Sequence, residues 1–306
     1  MQDENAYDPS LPDLPDDPPE ADTGARGATG LVLVSTPIGN LGDVTFRAVE
    51  CLRNADVILC EDTRTTAKLL QAHAISARTE ALHDHNEDQR IPALLARLHQ
   101  GASIAVVSDA GTPLVSDPGY RLVRAAIADG IRITAAPGAN AAIMALTLSG
   151  LPPHPFLFLG FPPAKQSARS SSFASLRAAE QAGLSATMIW YEAPHRLAET
   201  LADMAEIFGA REAAVARELT KRFEEVRRGD LPSLAGYYAT NRARGEIVIL
   251  IGPGAADAAS GADIDRMLTT ALTTMSVKDA ATVVAAATGT AKKILYARAL
   301  ELKDAD

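Results

Sequence analysis

Residues Ser103–Gly138 read SIAVVSDAGTPLVSDPGYRLVRAAIADGIRITAAPG. Ser103–Ser108 is a short apolar run of strand length. A loop rich in Gly, Pro and Asp follows, then a helical stretch, Gly119–Ala128, and a second strand run, Ile131–Ala135. A strand, a ten-residue helix and another strand form a βαβ unit, whose strands lie parallel in one sheet. Working outward, the same alternation recurs. Leu31–Ser35 and Val57–Cys60 read as strands, with helices over Thr45–Asn54, Thr65–Ala72 and Ile91–His99. A helix over Ala139–Ser149 closes this half. The expected fold class is therefore α/β with a mainly parallel sheet.

After the Pro-rich Leu151–Pro155 a second alternation begins. Strands are expected at Phe156–Gly160, Ala186–Tyr191, Ala213–Leu219, Phe223–Arg227 and Glu246–Ile251. Helices are expected at Arg169–Ala182, His195–Phe208 and Leu231–Thr240. A Gly/Ala linker, 252–262, leads to three short helices, Ile264–Thr273, Val277–Thr288 and Lys292–Leu302. Ser276 is placed to cap the middle one and Gly289 to stop it. The expected organisation is an acidic lead-in over 1–29, an α/β domain over 30–151, a second over 152–254 and a helix-turn-helix-like unit over 262–306.

The formal net charge is −9 over 306 residues. Residues 1–30 hold eight acids and one base, so the other 276 residues carry only −2. A polybasic binder is excluded, but an enzyme acting on RNA is not. The lead-in is rich in Pro, Asp and Gly and cannot bury enough apolar surface to order itself. Two cysteines, Cys51 and Cys60, exclude a disulfide scaffold and read as reduced core residues. No basic stretch precedes an apolar N-terminal run, and Ala139–Phe161 is broken by Gly150 and three prolines. Neither a leader nor a membrane span is expected, and the expected location is the cytoplasm.

The sequence holds no G-x-G-x-x-G, no Walker A motif, no H-E-x-x-H and no G-x-S-x-G. It does place polar loops rich in Gly and Pro after successive strands: Thr36–Asp43, Glu61–Arg64, Ser108–Gly119 and Ala136–Ala141. Open α/β sheets bind ligands beyond the carboxyl ends of their strands. Four such loops at one edge point to a ligand cleft, although Asp117-Pro118-Gly119 by itself reads as a tight turn ahead of a helix.

The runs Val34–Asp43, Cys60–Arg64, His83–Glu87, Ser108–Gly119, Trp190–Arg196 and Arg217–Gly229 together resemble the ribosomal RNA small subunit methyltransferase I family. That family belongs to the tetrapyrrole-methylase-like (class III) enzymes that use S-adenosylmethionine. The resemblance spans roughly residues 30–303, the helical tail included. It implies 2′-O-methylation of a cytidine ribose in the decoding region of 16S rRNA, with the small ribosomal subunit as partner. It also implies two α/β domains with the donor between them, a homodimer and no metal.

By the same resemblance, Asp109, Ala110, Gly111, Thr112 and Pro113 stand where tetrapyrrole methylases have a Gly-Asp-Pro donor loop. Pro37 in the first loop, and Asn140 and Ala141 in the last, fall in donor-contacting segments. Tyr191, Glu192, Ala216 and Arg217 stand where the second domain closes over the donor. For Asp109 and Asn140 the competing reading is a local turn or helix cap.

A ribose hydroxyl is a poor nucleophile until its proton is taken. Lys221 is a candidate base if burial lowers its pKa, or a phosphate contact if it stays charged. Glu61 and Arg64, near the first-domain loops, are alternatives. His83-Asp84-His85-Asn86-Glu87 could be mistaken for a metal site, but the resemblance implies no metal, and a substrate-facing loop is expected instead. Ser276–Lys303 carries five bases against two acids, a candidate RNA contact with Tyr296 among the bases. The competing functions are a tetrapyrrole C-methyltransferase and a non-catalytic nucleic-acid-binding regulator.

Overall fold

The computed structural model describes residues 29–254, 261–288 and 290–304. The acidic lead-in, most of the Gly/Ala linker and Gly289 lie outside them. The first sheet has five strands: β1 (Gly30–Val34), β2 (Val57–Cys60), β3 (Thr79–Ala81), β4 (Ser103–Val107) and β5 (Ile133–Ala136). Their order is β3-β2-β4-β1-β5 and every pairing is parallel. All residues of β2 and β4 are buried, because helices cover both faces. One face packs on α1 (Phe46–Asn54) and α2 (Thr63–Ala72), the other on α3 (Glu87–His99) and α4 (Tyr120–Ala128).

Strand β3 is absent from the sequence-based expectation. Its residues, Thr79-Glu80-Ala81, form no apolar run. The edge strand is held by charge instead: Glu80 pairs with Arg78, Arg90 and Arg97.

The second half corrects the expectation more deeply. Its strands are β6 (Phe156–Phe158), β7 (Thr187–Glu192), β8 (Glu212–Arg217), β9 (Glu225–Asp230) and β10 (Ile247–Ile251), in the order β6-β7-β10-β8-β9. Only β6 and β7 run parallel; β7–β10, β10–β8 and β8–β9 are antiparallel. Seven residues, 218–224, join β8 to β9, too few for a parallel crossover. One face carries α6 (Gln166–Gln181), α7 (Leu197–Phe208) and α8 (Leu231–Thr240), around a core that includes Phe173, Trp190 and Phe208.

The opposite face is covered by α5 (Ala141–Ser149), which the sequence assigns to the first half. Ala142, Ala145 and Leu146 pack with Ile189, Ala214, Ala216, Val248 and Leu250. α5 packs one face on the second sheet and leaves Ile143, Met144 and Thr147 exposed on the other. Arg228 of β9 fastens its end by donating to the carbonyl oxygens of Ser149 (3.0 Å) and Leu148. A cation there is favoured by the helix dipole.

Helices α9 (Gly261–Leu272), α10 (Val277–Thr288) and α11 (Lys292–Asp304) pack on one another around Leu268, Ala281, Val284, Leu295 and Ala299. Ser276 caps α10, its Oγ accepting from the Asp279 N–H at 3.2 Å. Among the described residues no helix is long and apolar enough to cross a membrane. Cys51 and Cys60 are both free thiols.

Candidate active site

The carboxyl ends of β1, β4 and β5 meet the second sheet at one edge, and the loops there are stitched together. The Thr36 N–H donates to the Gly111 carbonyl (2.8 Å) and the Gly111 N–H to the Thr36 carbonyl (3.1 Å). Thr36 Oγ1 donates to the Ser108 carbonyl, and Ser108 Oγ to that of Gly111. Gly111 has φ +86°, and a Cβ on it would press within 3.2 Å of Ile38. Thr112 Oγ1 donates to the Ala139 carbonyl and accepts from Asn140 Nδ2 at 3.3 Å. Asn140 Oδ1 in turn accepts the N–H groups of Ala142 and Ile143, capping α5.

These loops wall a cleft of about 330 Å³ between the two sheets, within the size range of small-molecule sites. Its charged lining residues are Asp109, Asp117, Glu192 and Glu246, with no Lys, Arg or His among them. Ile38, Leu219, Ile247 and Val248 supply apolar walls, and Phe161 and Tyr191 aromatic ones. Tyr191 packs edge-on against Phe158 and Phe161 at 4.9 and 5.6 Å. Burial, reinforced by the charge of Asp117, pushes its phenol pKa up. The Asp117 carboxyl is pushed up to about 7, first by burial and then by the charges of Glu61 and Asp109.

Of the donor residues expected from sequence, Asp109, Ala110, Gly111, Thr112, Asn140, Ala141, Tyr191 and Glu192 line this cleft. Asp109 is no cap of its own turn: its Oδ1 accepts the Asp62 N–H at 3.0 Å, tying the β2 loop to the β4 loop. Glu192 is buried, accepting from Thr200 Oγ1 (2.5 Å) and the Ala193 N–H (2.7 Å). Pro37 and Pro113 lie beside lining residues without lining the cleft themselves. Ala216 is fully buried in the contact with α5, and Arg217 is paired with Glu225 at 2.6 Å.

The candidate catalytic residues fall outside the lining. Lys221 Nζ is paired with Glu218 (2.8 Å) and Glu246 (3.0 Å). Burial alone would lower its pKa, but the hydrogen bonds and charges of those two acids outweigh it, and the pKa rises. Lys221 is thus held as a cation and is corrected as a base. Its stem lies against Gly39, where a Cβ would come within 2.5 Å of Lys221 Cγ. Arg64 is exposed and paired with Asp62. Glu61 is exposed at the rim, its pKa raised first by burial, then by Asp109 and Asp84.

His83 and His85 sit in a turn with their rings 6.0 Å from each other. Among the described residues no three His, Cys, Asp or Glu side chains gather to hold a metal ion. Glu87, from the same run, is buried and accepts the Leu122 N–H at 2.8 Å, tying α3 to α4. In the tail, Arg298 is paired with Asp265 and Glu301, which removes it from the expected RNA-facing bases.

Sequence reasoning missed Val115–Asp117, Phe161 and Gly245–Val248 in the lining. The last group lies at the amino end of a strand, whereas ligand loops of parallel sheets follow carboxyl ends. β10 runs antiparallel to its neighbours, pairing Ile247 with both Glu192 and Arg217, so its amino end reaches the cleft. The short β8–β9 connection was the available signal.

Residues 30–235 match the family profile Tetrapyrrole (Corrin/Porphyrin) Methylases, and residues 258–303 match the RsmI C-terminal HTH domain. A protein of Mesorhizobium japonicum named Ribosomal RNA small subunit methyltransferase I is 50% identical over 276 residues, covering 90% of this chain and 92% of its own. A Vibrio cholerae protein of the same name is 46% identical over 282 residues, covering 90% and 96%. Among solved structures, a diphthine synthase superposes with TM-score 0.56 at 13% identity, over 72% of this chain and 89% of its own. The uroporphyrin-III C-methyl transferase of Thermus thermophilus, complexed with S-adenosyl homocysteine, does so with TM-score 0.52 at 18% identity, over 73% and 97%. At such identities these two structures speak for the fold alone.

Proposed function

This chain belongs to the ribosomal RNA small subunit methyltransferase I family, and on that premise we propose that it methylates the 2′-oxygen of a cytidine ribose in the decoding region of 16S rRNA. The donor is S-adenosylmethionine. The observation that carries this reading is the cleft lining: aromatic and apolar walls, and charged groups that are all acids. Such a lining repels phosphates and suits a cationic sulfonium joined to an adenine. The residues present therefore fit the donor. When bound, it supplies an electrophilic methyl group.

The chain's own residues do the rest. The 109–112 loop is locked to Thr36 and Ala139, which fixes the shape of the cleft wall that meets the donor. Asn140, Ala141, Tyr191 and Phe161 line the same cleft. Methyl transfer is an in-line displacement, so positioning and water exclusion supply most of the acceleration. A cleft fixed between two sheets provides both. The helical tail faces RNA in this reading, because Lys278, Lys292, Lys293 and Lys303 are exposed and unpaired among the described residues. The tail match and the names of the relatives favour rRNA over a tetrapyrrole substrate, and an enzyme over a passive binder.

The protein acts in the cytoplasm as a homodimer in this proposal. Ile143 and Met144 support the dimer: they are exposed on α5, a helix apolar on every side. Light scattering on the purified chain tests it, and a monomer at micromolar concentration removes it.

For the activity, small ribosomal subunits are incubated with methyl-labelled S-adenosylmethionine and the rRNA is digested for mass spectrometry. One new 2′-O-methylcytidine is expected. Absence of label from rRNA, or label on a base carbon, refutes the assignment.

A further inference from the structure

Four carboxylates line the cleft, and three are already committed to other groups. Asp109 accepts the Asp62 N–H. Glu192 accepts from Thr200 and Ala193 and lies 3.5 Å from Arg196. Glu246 holds Lys221. Asp117 has no hydrogen-bond or ion-pair partner among the described residues, so its acceptor capacity is unspent.

The backbone that presents Asp117 is strained. Leu114 and Ser116 adopt φ of +70° and +69°, and Gly119 closes the segment at +113°. Left-handed backbone at residues other than glycine is strained and persists where surrounding structure enforces it, often at functional sites. Here the enforcement is visible. A Cβ on Gly119 would crowd Leu114 at 3.3 Å, and Ser116 lies against Gly160 of the second half. Asp117 is thus held at the junction of both halves. The charged and titratable groups around it are Asp109 from its own loop, Glu61 from the β2 loop and Tyr191 from β7. Glu61 in turn faces Asp84, His83 and Asp62.

We propose that Asp117 takes the proton of the ribose hydroxyl as the methyl group transfers, an assignment that rests on the methyltransferase reading above. The O–H bond breaks and its proton goes to the Asp117 carboxylate. The oxygen's electron pair forms the new O–C bond, while the C–S electron pair stays on sulfur and cancels its positive charge. Charge and atoms balance without a further reactant, and the protonated Asp117 returns its proton to water at the cleft mouth.

The other candidates fit this role less well. Lys221 is locked as a cation by Glu218 and Glu246. Glu61 stands at the exposed rim outside the lining. The raised pKa of Tyr191 keeps its phenol protonated. A base that titrates near the working pH combines the correct charge state with a useful drive for proton transfer, and the Asp117 value of about 7 meets that condition.

The test uses the full chain and compares Asp117→Asn and Asp117→Glu with wild type, at saturating S-adenosylmethionine and saturating small subunits. For Asp117→Asn, kcat is expected to fall about 10²–10⁴-fold, the usual contribution of a general base. Donor Kd by calorimetry should move by less than about tenfold. The wild-type kcat should rise with pH through a midpoint near 7, a limb missing from the Asn variant and partly restored by Glu. A purely structural role would not move that limb.

A second readout needs no turnover. With a folded pKa near 7 and an unfolded one near about 4, ionisation of Asp117 costs the folded state stability. Wild type should therefore lose melting temperature relative to Asp117→Asn as pH rises from about 4 to about 7. The Asn variant should stay the more stable of the two above that range.

Unchanged kcat at saturation, or a loss confined to donor Kd, overturns the assignment while leaving the methyltransferase intact. A wild-type chain that transfers no methyl group to ribose overturns both.

Discussion

Replacing Asn140 with alanine tests whether the donor loop and the interdomain helix act as one unit. Asn140 Oδ1 accepts from Ala142 and Ile143 at 3.1 and 3.2 Å, and its Nδ2 donates to Thr112 at 3.3 Å. Losing an N-cap costs about 1 kcal/mol. The Ala142 N–H adds to that, because Ala142 is only 3% exposed and little water can replace the lost partner; an unsatisfied buried donor costs about 1–3 kcal/mol. The bond to Thr112 adds less, since Thr112 keeps its own bond to Ala139. The sum is about 2 kcal/mol, measured as a shift in the urea midpoint at constant slope. Asn140→Asp keeps an oxygen to accept both N–H groups and gains from the helix dipole, so stability should return. A carboxylate cannot donate to Thr112, so donor affinity, read by calorimetry, should stay about tenfold weak. Alanine costing under about 0.5 kcal/mol refutes the cap argument. Full donor affinity in Asn140→Asp refutes the link to the loop.

Three further outcomes follow from the same geometry. Lys221→Met keeps the stem against Gly39 and removes the charge, so kcat should stay within about tenfold of wild type; a loss above about 10³ with donor affinity intact would restore lysine as the base. Arg169 and Asp203 form an ion pair at 2.6 Å with side chains only 1% and 6% exposed. Arg169→Ala should therefore destabilise by about 3–5 kcal/mol in urea, and the pair Arg169→Met with Asp203→Leu should recover most of it; a loss under about 1 kcal/mol contradicts this. Truncation after residue 254 should spare donor binding and reduce methylation of small subunits, because α9–α11 enclose their own core. Full activity without the tail removes it as the RNA contact.

What the sequence made legible depended on how each element is stabilised. Strands β1, β2 and β4 are buried on both faces and appear as apolar runs, and the loops after them carry their Gly and Pro openly. β3 was invisible because charge pairs at Glu80 hold it, and no propensity signal marks such a strand. Helix α5 was found in place but assigned to the wrong partner. Its apolar residues give no amphipathic face, so nothing local says which sheet it covers. Asp117 was read as part of a turn, which it is. Its lack of a partner among the described residues, and its nearness to Glu61 and Asp109, exist only once β2 and β4 lie side by side.

The same geometry explains how a chain with a nearly neutral body can serve a cationic donor and a polyanionic substrate together. Acids suited to a sulfonium would repel rRNA phosphates if they lay on an open surface. Here they lie inside a cleft, and two of the four are muted: Glu246 is neutralised by Lys221, and Glu192 faces Arg196. The unpaired lysines sit on a separate helical unit, Lys292 and Lys293 at the start of α11 and Lys303 near its end. Surface charges further apart than about 8 Å barely interact at physiological salt. Moving the basic groups onto a tail of their own therefore lets each set of charges act on its own ligand. Asp109 and Asp117 are left without a cation, and of the two only Asp117 also lacks a hydrogen-bond partner among the described residues.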